Sequence, residues 1–269
     1  MDMTNSRIEM DRPNRRDTYT KSFTFKFPID RNSRAVVDAE VRRVSQSVVP
    51  LVAEEKGRPC VAGSAVAIRF RGASFLVTAE HVLQRFGGAV GYFAFDGWTR
   101  PLAGEFHVSE LDDIAIRLLP DKVVESLRHV NFLDEDDLAQ PEDLGDRFYA
   151  SIVGYPSSAA KRHDRISLET PLEIMSHFGE VEPNGRLSIT FNKKEGGLGS
   201  EGHSIPKDPF GKSGGAIFSM RSSGRVVLPG QSAKLAGIAL EWRKPEKRIV
   251  GANVLILKKL MVGAIAGSR

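Results

Sequence analysis

Three short stretches carry side chains of a kind that can cleave an acyl bond. Leu76-Val77-Thr78-Ala79-Glu80-His81-Val82 reads as a strand ending in a histidine at a helical turn. Asp112-Asp113-Ile114-Ala115-Ile116-Arg117-Leu118 sets a carboxylate at the mouth of an alternating strand. Pro209-Phe210-Gly211-Lys212-Ser213-Gly214-Gly215-Ala216 places a serine in a glycine-rich turn that runs into a strand. A serine hydroxyl is a weak nucleophile at neutral pH and needs an adjacent base. Imidazole, whose ordinary pKa is about 6.5, can take that proton and return it. A carboxylate can fix the imidazole tautomer and stabilise the imidazolium as it forms. The oxyanion needs donors already in place, and backbone N–H groups in a tight glycine turn supply them because no side chain blocks approach. Gly211 and Ser213 are the expected donors, and losing one such donor typically costs about 2.7–4 kcal/mol in barrier height.

Between residues 46 and 257 the pattern is that of an all-β protein. Ser64–Phe70 and Ser74–Thr78 are strand-like and joined by Arg71-Gly72-Ala73, a hairpin turn. Further strands are expected at Val48–Val52, Val90–Phe95, Ile114–Leu118, Phe148–Val153, Leu187–Phe191, Ala216–Met220, Leu235–Leu240 and Ile249–Ile256. Glycine and proline punctuate them, as in a sandwich or barrel. Helical periodicity is confined to about 35–46, Asp121–Arg128 and Lys258–Ile265. Residues 1–45 read as an N-terminal extension, loose over its first 21 residues, with one strand of alternating pattern at Ser22–Phe27. The strands divide into two similar barrels, about 46–135 and 146–257, on either side of an acidic segment at Asp134–Asp137, with a C-terminal helix at about 258–266.

Composition narrows the function classes. The chain has 269 residues, 41% hydrophobic and 27% charged, which suits a globular protein with a sizeable core. A net charge of +4 with interleaved signs gives no reason to expect nucleic acid as a partner. The single cysteine, Cys60, excludes an intramolecular disulfide and lies in an apolar run that suits packing. The N-terminus is dense in charge and lacks the apolar core of a signal peptide. No stretch approaches the roughly 18 apolar residues of a membrane span. A cytoplasmic protein with no membrane association is expected. One cysteine and scattered histidines offer no set of ligands at metal-binding spacing, and neither a metal nor a cofactor is expected.

Chain order separates two hydrolase arrangements. Gly211-Lys212-Ser213-Gly214-Gly215 also satisfies the G-x-S-x-G pattern of a nucleophile elbow. That arrangement needs its histidine after the serine, whereas all six histidines (81, 107, 129, 163, 177 and 203) precede Ser213.

The His-Asp-Ser order and the motifs Thr78-Ala79-Glu80-His81, Asp113-Ile114-Ala115 and Gly211-Lys212-Ser213-Gly214-Gly215 resemble those of the chymotrypsin/trypsin-like serine peptidases. Gly63-Ser64-Ala65-Val66, Val153-Gly154-Tyr155-Pro156 and Ala236-Gly237-Ile238 are similar to segments of the compact bacterial members related to HtrA proteases, and no PDZ domain is expected after Ile256. The resemblance spans residues 46 to 262. It implies two Greek-key barrels with His81 and Asp113 from the first, Ser213 from the second, and a cleft between them. Asp112 competes with Asp113 as the acid, and the Asp-Ile-Ala match favours Asp113. The family's specificity-pocket floor lies six residues before the serine, at Lys207, where a lysine either favours an acidic side chain or points to solvent on a rearranged loop. Phe210 and the wall Ala239–Trp242 would also meet substrate.

Two positions depart from the pattern. Lys212 stands where the family usually has Asp or Asn, the residue that receives the new N-terminus in trypsin-like zymogens, which argues against activation by that route. Glu80 replaces a small residue and is expected on an exposed turn. The implied activity is endopeptidase cleavage of a protein or peptide through an acyl-enzyme. The alternative is an inactive binding or regulatory module on the same fold, or one that waits for an activating protein partner. The loop 192–204, rich in glycine, is a candidate switch.

Overall fold

The computed structural model describes residues 39–145, 147–162, 168–191, 197–199, 202–204, 212–220 and 233–267. The expected strand at Ser22–Phe27 lies outside them, as do Lys207, Phe210 and Gly211.

Helix α1 (39–45) buries Val41 and Val44 and leads into β1 (Val48–Glu55), β2 (Arg58–Phe70) and β3 (Ala73–Ala79). The two-residue loops Lys56-Gly57 and Arg71-Gly72 join these strands with positive φ at all four positions, the backbone that matches strand twist. The short helix α2 (Glu80–Gln84) follows, then β4 (Gly91–Phe93), β5 (Thr99–Pro101), β6 (His107–Ser109) and β7 (Ile114–Leu118). Helices α3 (Asp121–Ser126) and α4 (Pro141–Leu144) lie in the connection to β8 (Arg147–Gly154). The second half adds β9 (Lys161–Arg162), β10 (Leu168–Glu169), β11 (Glu173–Val181), β12 (Leu187–Thr190), β13 (Gly197–Gly199), β14 (Gly202–Ser204), β15 (Ala216–Met220), β16 (Ala233–Arg243), β17 (Arg248–Asn253) and helix α5 (Val254–Gly267).

The first sheet has the order β5-β4-β1-β2-β3-β7-β6. In the second, β8, β11, β12, β17, β16 and β15 pair in a ring that closes back on β8, with the β13–β14 hairpin added beside β11. Each half contains three antiparallel neighbours in chain order and a fourth strand returning beside the first: β4-β1-β2-β3 and β15-β8-β11-β12. That order defines a Greek key. The chain is therefore an all-β, chymotrypsin-like two-barrel fold with a C-terminal helix.

One buried apolar cluster runs through both halves. Strand β2 shows why. Val61 to Ile68 are buried on both faces, because β2 has its own barrel core on one side and β8 on the other. The small residues Gly63, Ser64, Ala65 and Ala67 let the halves approach there. Helix α5 seats Val254, Leu257, Met261 and Ala264 against β6 and β7 of the first sheet and β16 and β17 of the second.

Two expectations need correction. The last strand does not reach Ile256. The Asn253 side chain accepts the Leu255 N–H at 3.0 Å, a helix N-cap that ends β17 and starts α5 four residues before Lys258. Strand β11 was not expected at all, although it joins β8, β12 and β13. Its nine residues do not alternate cleanly, since only Met175 and Gly179 are buried and Phe178 is 61% exposed.

Candidate active site

His81 sits on the turn that ends β3. Asp113, at the mouth of the neighbouring β7, holds it by three contacts. The Asp113 carbonyl accepts the Glu80 N–H at 3.1 Å, its Oδ1 accepts the His81 N–H at 3.0 Å, and its Oδ2 meets His81 Nδ1 at 2.7 Å. Asp113 makes these at φ 57°, a left-handed conformation that Asp tolerates better than most residues. A carboxylate without a proton can only accept, so Nδ1 carries the hydrogen toward it, and in the neutral imidazole that leaves a lone pair on Nε2. Asp112 points elsewhere and accepts the Ser109 hydroxyl at 2.7 Å. Glu80 is buried, not exposed: α2 turns Glu80, Val82 and Leu83 inward, and the carboxylate accepts from Gln84 Nε2 at 2.6 Å. The His81 ring is 45% exposed.

The Ser213 turn is locked to both halves by its backbone. The Ser213 carbonyl accepts the Ser64 N–H at 2.8 Å, and Gly215 N–H closes the turn on the Lys212 carbonyl at 2.8 Å. Gly214 N–H donates to the Ala239 carbonyl at 2.7 Å, and Ala239 N–H to the Gly215 carbonyl at 2.8 Å. Gly214 has φ 79°, and a Cβ there would lie 2.1 Å from the Ser64 carbonyl oxygen and 3.1 Å from Ala79 N. A Cβ at Gly63 would meet Val82 at 2.8 Å and the Ser213 carbonyl at 3.0 Å. The turn therefore lies against Thr78 and Ala79, just before His81, and Gly63 lies against both Val82 and the Ser213 carbonyl. Ser213 Oγ itself donates to the Leu240 carbonyl at 3.0 Å. Among the described residues no hydrogen bond joins it to His81.

Lys212 lies beneath this turn, with its side chain 2% exposed. Its Nζ stands 3.1 Å from Glu173 Oε2, an ion pair without good hydrogen-bond geometry among the described residues. Desolvation pulls the ammonium down to a pKa of about 8, against the opposing pull of Glu173.

The remaining expected site residues divide as follows. Ala239 is buried and touches the turn through its backbone. Trp242 is half-buried and packs edge-on against Phe191, with ring centroids 5.6 Å apart. Gly211, Phe210 and Lys207 fall outside the described residues, so the expected oxyanion donor and pocket floor do too. Of the loop 192–204, residues 197–199 and 202–204 form the β13–β14 hairpin. Sequence reasoning missed Ser64 and Glu173 as neighbours of the Ser213 turn, whereas Leu240 lies within the expected wall Ala239–Trp242. Ser64 gives its N–H to Ser213, accepts the Thr78 hydroxyl at its carbonyl (2.7 Å) and accepts the Tyr155 N–H at Oγ (3.0 Å). Among the described residues no three His, Cys, Asp or Glu side chains group as metal ligands, and no helix is long and apolar enough to cross a membrane.

A comparison with protein-family models gives no match, and neither does a comparison with curated protein sequences. Solved structures with a similar course include the serine protease domain of the Sesbania mosaic virus polyprotein (15% identity, 78% of this chain and 89% of that one, TM-score 0.45). The serine endoprotease from Yersinia pestis is similar at 15% identity over 86% of this chain and 67% of that one, TM-score 0.47. The tobacco etch virus protease bound to product is similar at 14% identity over 86% and 78%, TM-score 0.47. Likenesses this distant transfer no residue roles, and the two-barrel architecture stands on the strand order itself.

Proposed function

We propose that the chain is a serine endopeptidase that hydrolyses peptide bonds through an acyl-enzyme on Ser213. The observation that carries this reading is the Asp113–His81 clamp, which fixes the imidazole with a free Nε2 lone pair beside the Ser213 turn. Catalysis requires Ser213 Oγ to leave the Leu240 carbonyl and meet that lone pair. Oγ then attacks the scissile carbonyl carbon while its proton passes to Nε2, and Asp113 balances the imidazolium. The same proton goes to the departing amine as the C–N bond breaks. Water repeats the sequence in reverse: its proton passes to Nε2, its oxygen attacks the ester, and Ser213 leaves with the proton. The Ser213 N–H and Gly211 N–H would hold the oxyanion. A protein or peptide is the expected substrate, in the cytoplasm.

One observation favours a second reading, a protease-fold module held off until a protein partner arrives. Ser213 Oγ is engaged by Leu240, not by His81. A fluorophosphonate probe separates the two. Labelling of wild type at Ser213, lost in Ser213→Ala, supports the active enzyme. Labelling that occurs only when a partner is added supports the second. No labelling and no turnover of denatured proteins under either condition would remove the hydrolase reading.

A further inference from the structure

We infer that the ion pair of buried Lys212 with half-buried Glu173 is the positioning element of the Ser213 turn, holding the nucleophile from below without touching substrate. Its consequence for reactivity rests on Ser213 being the nucleophile; its consequence for the turn does not.

The argument starts from where the two side chains come from. Glu173 begins β11 and stands opposite Gly154 of β8 in the ladder. Gly154 has no side chain, and a Cβ there would be 3.3 Å from both Cα and Cβ of Lys212 and 3.1 Å from Ser64 Oγ. Lys212 therefore lies over the gap left by Gly154, and its ammonium reaches the carboxylate directly across it at 3.1 Å. The Lys212 carbonyl is also the acceptor that closes the turn with the Gly215 N–H. Anchoring the side chain at β11 thus fixes the peptide on which the turn is built, one residue before Ser213.

A buried ion pair is a poor source of stability, because desolvating two charges offsets their attraction, and apolar replacements of similar volume are often neutral or stabilising. The pair does supply direction. An apolar side chain at 212 would be content anywhere in the core, whereas an ammonium has one carboxylate to face. Glu173 is the charged group set against Nζ from β11; β8 offers Gly154 and β2 offers the uncharged Ser64. Burial holds the Lys212 pKa down to about 8, so opening of the turn that hydrates the ammonium is opposed as pH climbs above that value.

The test uses the full-length chain and two readouts. The double variant Lys212→Met/Glu173→Leu removes both charges together, leaving no unpaired ion in the core. Amide hydrogen exchange at 212–216 should be at least tenfold faster than in wild type, and fluorophosphonate labelling at pH 7 at least tenfold slower. In wild type, exchange of the same amides, corrected for its intrinsic pH dependence, should fall between pH 7 and 9.5; this arm requires no variant to fold. A folded double variant with unchanged turn exchange, or a flat wild-type profile, overturns the inference. If wild type takes no label at all, the hydrolase reading fails while the exchange data still decide this one.

Discussion

The backbone N–H of Ser64, in the first barrel, ends on the carbonyl of Ser213, in the second, at 2.8 Å. Ser64 belongs to a β2 segment buried on both faces, and its hydroxyl and carbonyl are also engaged, by Tyr155 and Thr78. The Ser213 turn is thus pinned to β2, the strand paired with β3, at whose end His81 stands. Displacing either partner should disturb both barrels at once.

Gly214→Ala tests that closeness most harshly. The residue needs φ 79°, and a Cβ would stand 2.1 Å from a backbone oxygen and 2.3 Å from Thr78 Oγ1. The left-handed conformation alone costs about 1–2 kcal/mol for a residue with a Cβ. The clash with backbone adds to it. A loss of at least about 2 kcal/mol is expected in denaturant titration, with labelling of Ser213 abolished in whatever remains folded. Wild-type stability and labelling would contradict the placement of the turn.

Asp113→Asn and Asp112→Asn form a discriminating pair. Asn tolerates a positive φ as Asp does, so Asp113→Asn should fold, but it can offer a donor to Nδ1 and select the wrong tautomer. A fall in turnover on the order of 10⁴ is the precedent for such a change in a serine protease triad. Asp112→Asn keeps an acceptor for the Ser109 hydroxyl and should leave turnover within about threefold of wild type by the ordinary tolerance of surface substitutions. Steady-state kinetics on a denatured-protein substrate, with circular dichroism as a fold check, decides between them. Equal losses in both would reopen the choice of acid.

Much of the site was legible because each motif is local. His81 at the end of an alternating strand, and Gly214 in a glycine turn, carry their signal within six or seven residues. Arg71-Gly72 likewise announced a hairpin, since a two-residue turn between strands demands positive φ. The Lys212–Glu173 pair was not legible, because the lysine read as a departure while its partner lay 39 residues away on a strand without clean alternation. Ser64 was hidden for a related reason. A serine in a continuous small-and-apolar run signals nothing until three separate segments converge on its three polar groups. The start of α5 was missed because Val254 and Ile256 favour strand by type, and the Asn253 cap overrides them.

Ser64→Ala removes one hydroxyl and should show how far the two halves depend on it. The Tyr155 N–H would lose its acceptor in a half-buried position, where an unsatisfied donor costs about 1–3 kcal/mol. The Ser64 N–H to Ser213 bond survives the change because it is backbone. A lowered denaturation midpoint with labelling of the folded fraction reduced less than tenfold is expected. Complete loss of labelling in a stably folded variant would mean that the hydroxyl, not the backbone, sets the turn.

Stability against pH gives a check on Lys212 that needs no activity. Burial lowers its pKa from 10.5 to about 8, so between those values the unfolded chain binds a proton that the folded chain has released. Stability contributed by this group therefore rises as pH climbs from about 8 to 10.5, and its full penalty applies below 8. At about 1.36 kcal/mol per pKa unit the whole span is on the order of 3 kcal/mol. Relative to Lys212→Met/Glu173→Leu, wild type should be less stable at pH 7 and should close part of that gap by pH 10. Urea titrations of the two proteins at pH 7, 8.5 and 10 measure it. A pH-independent gap would show that the ammonium is hydrated in the folded protein, which contradicts its burial against Glu173.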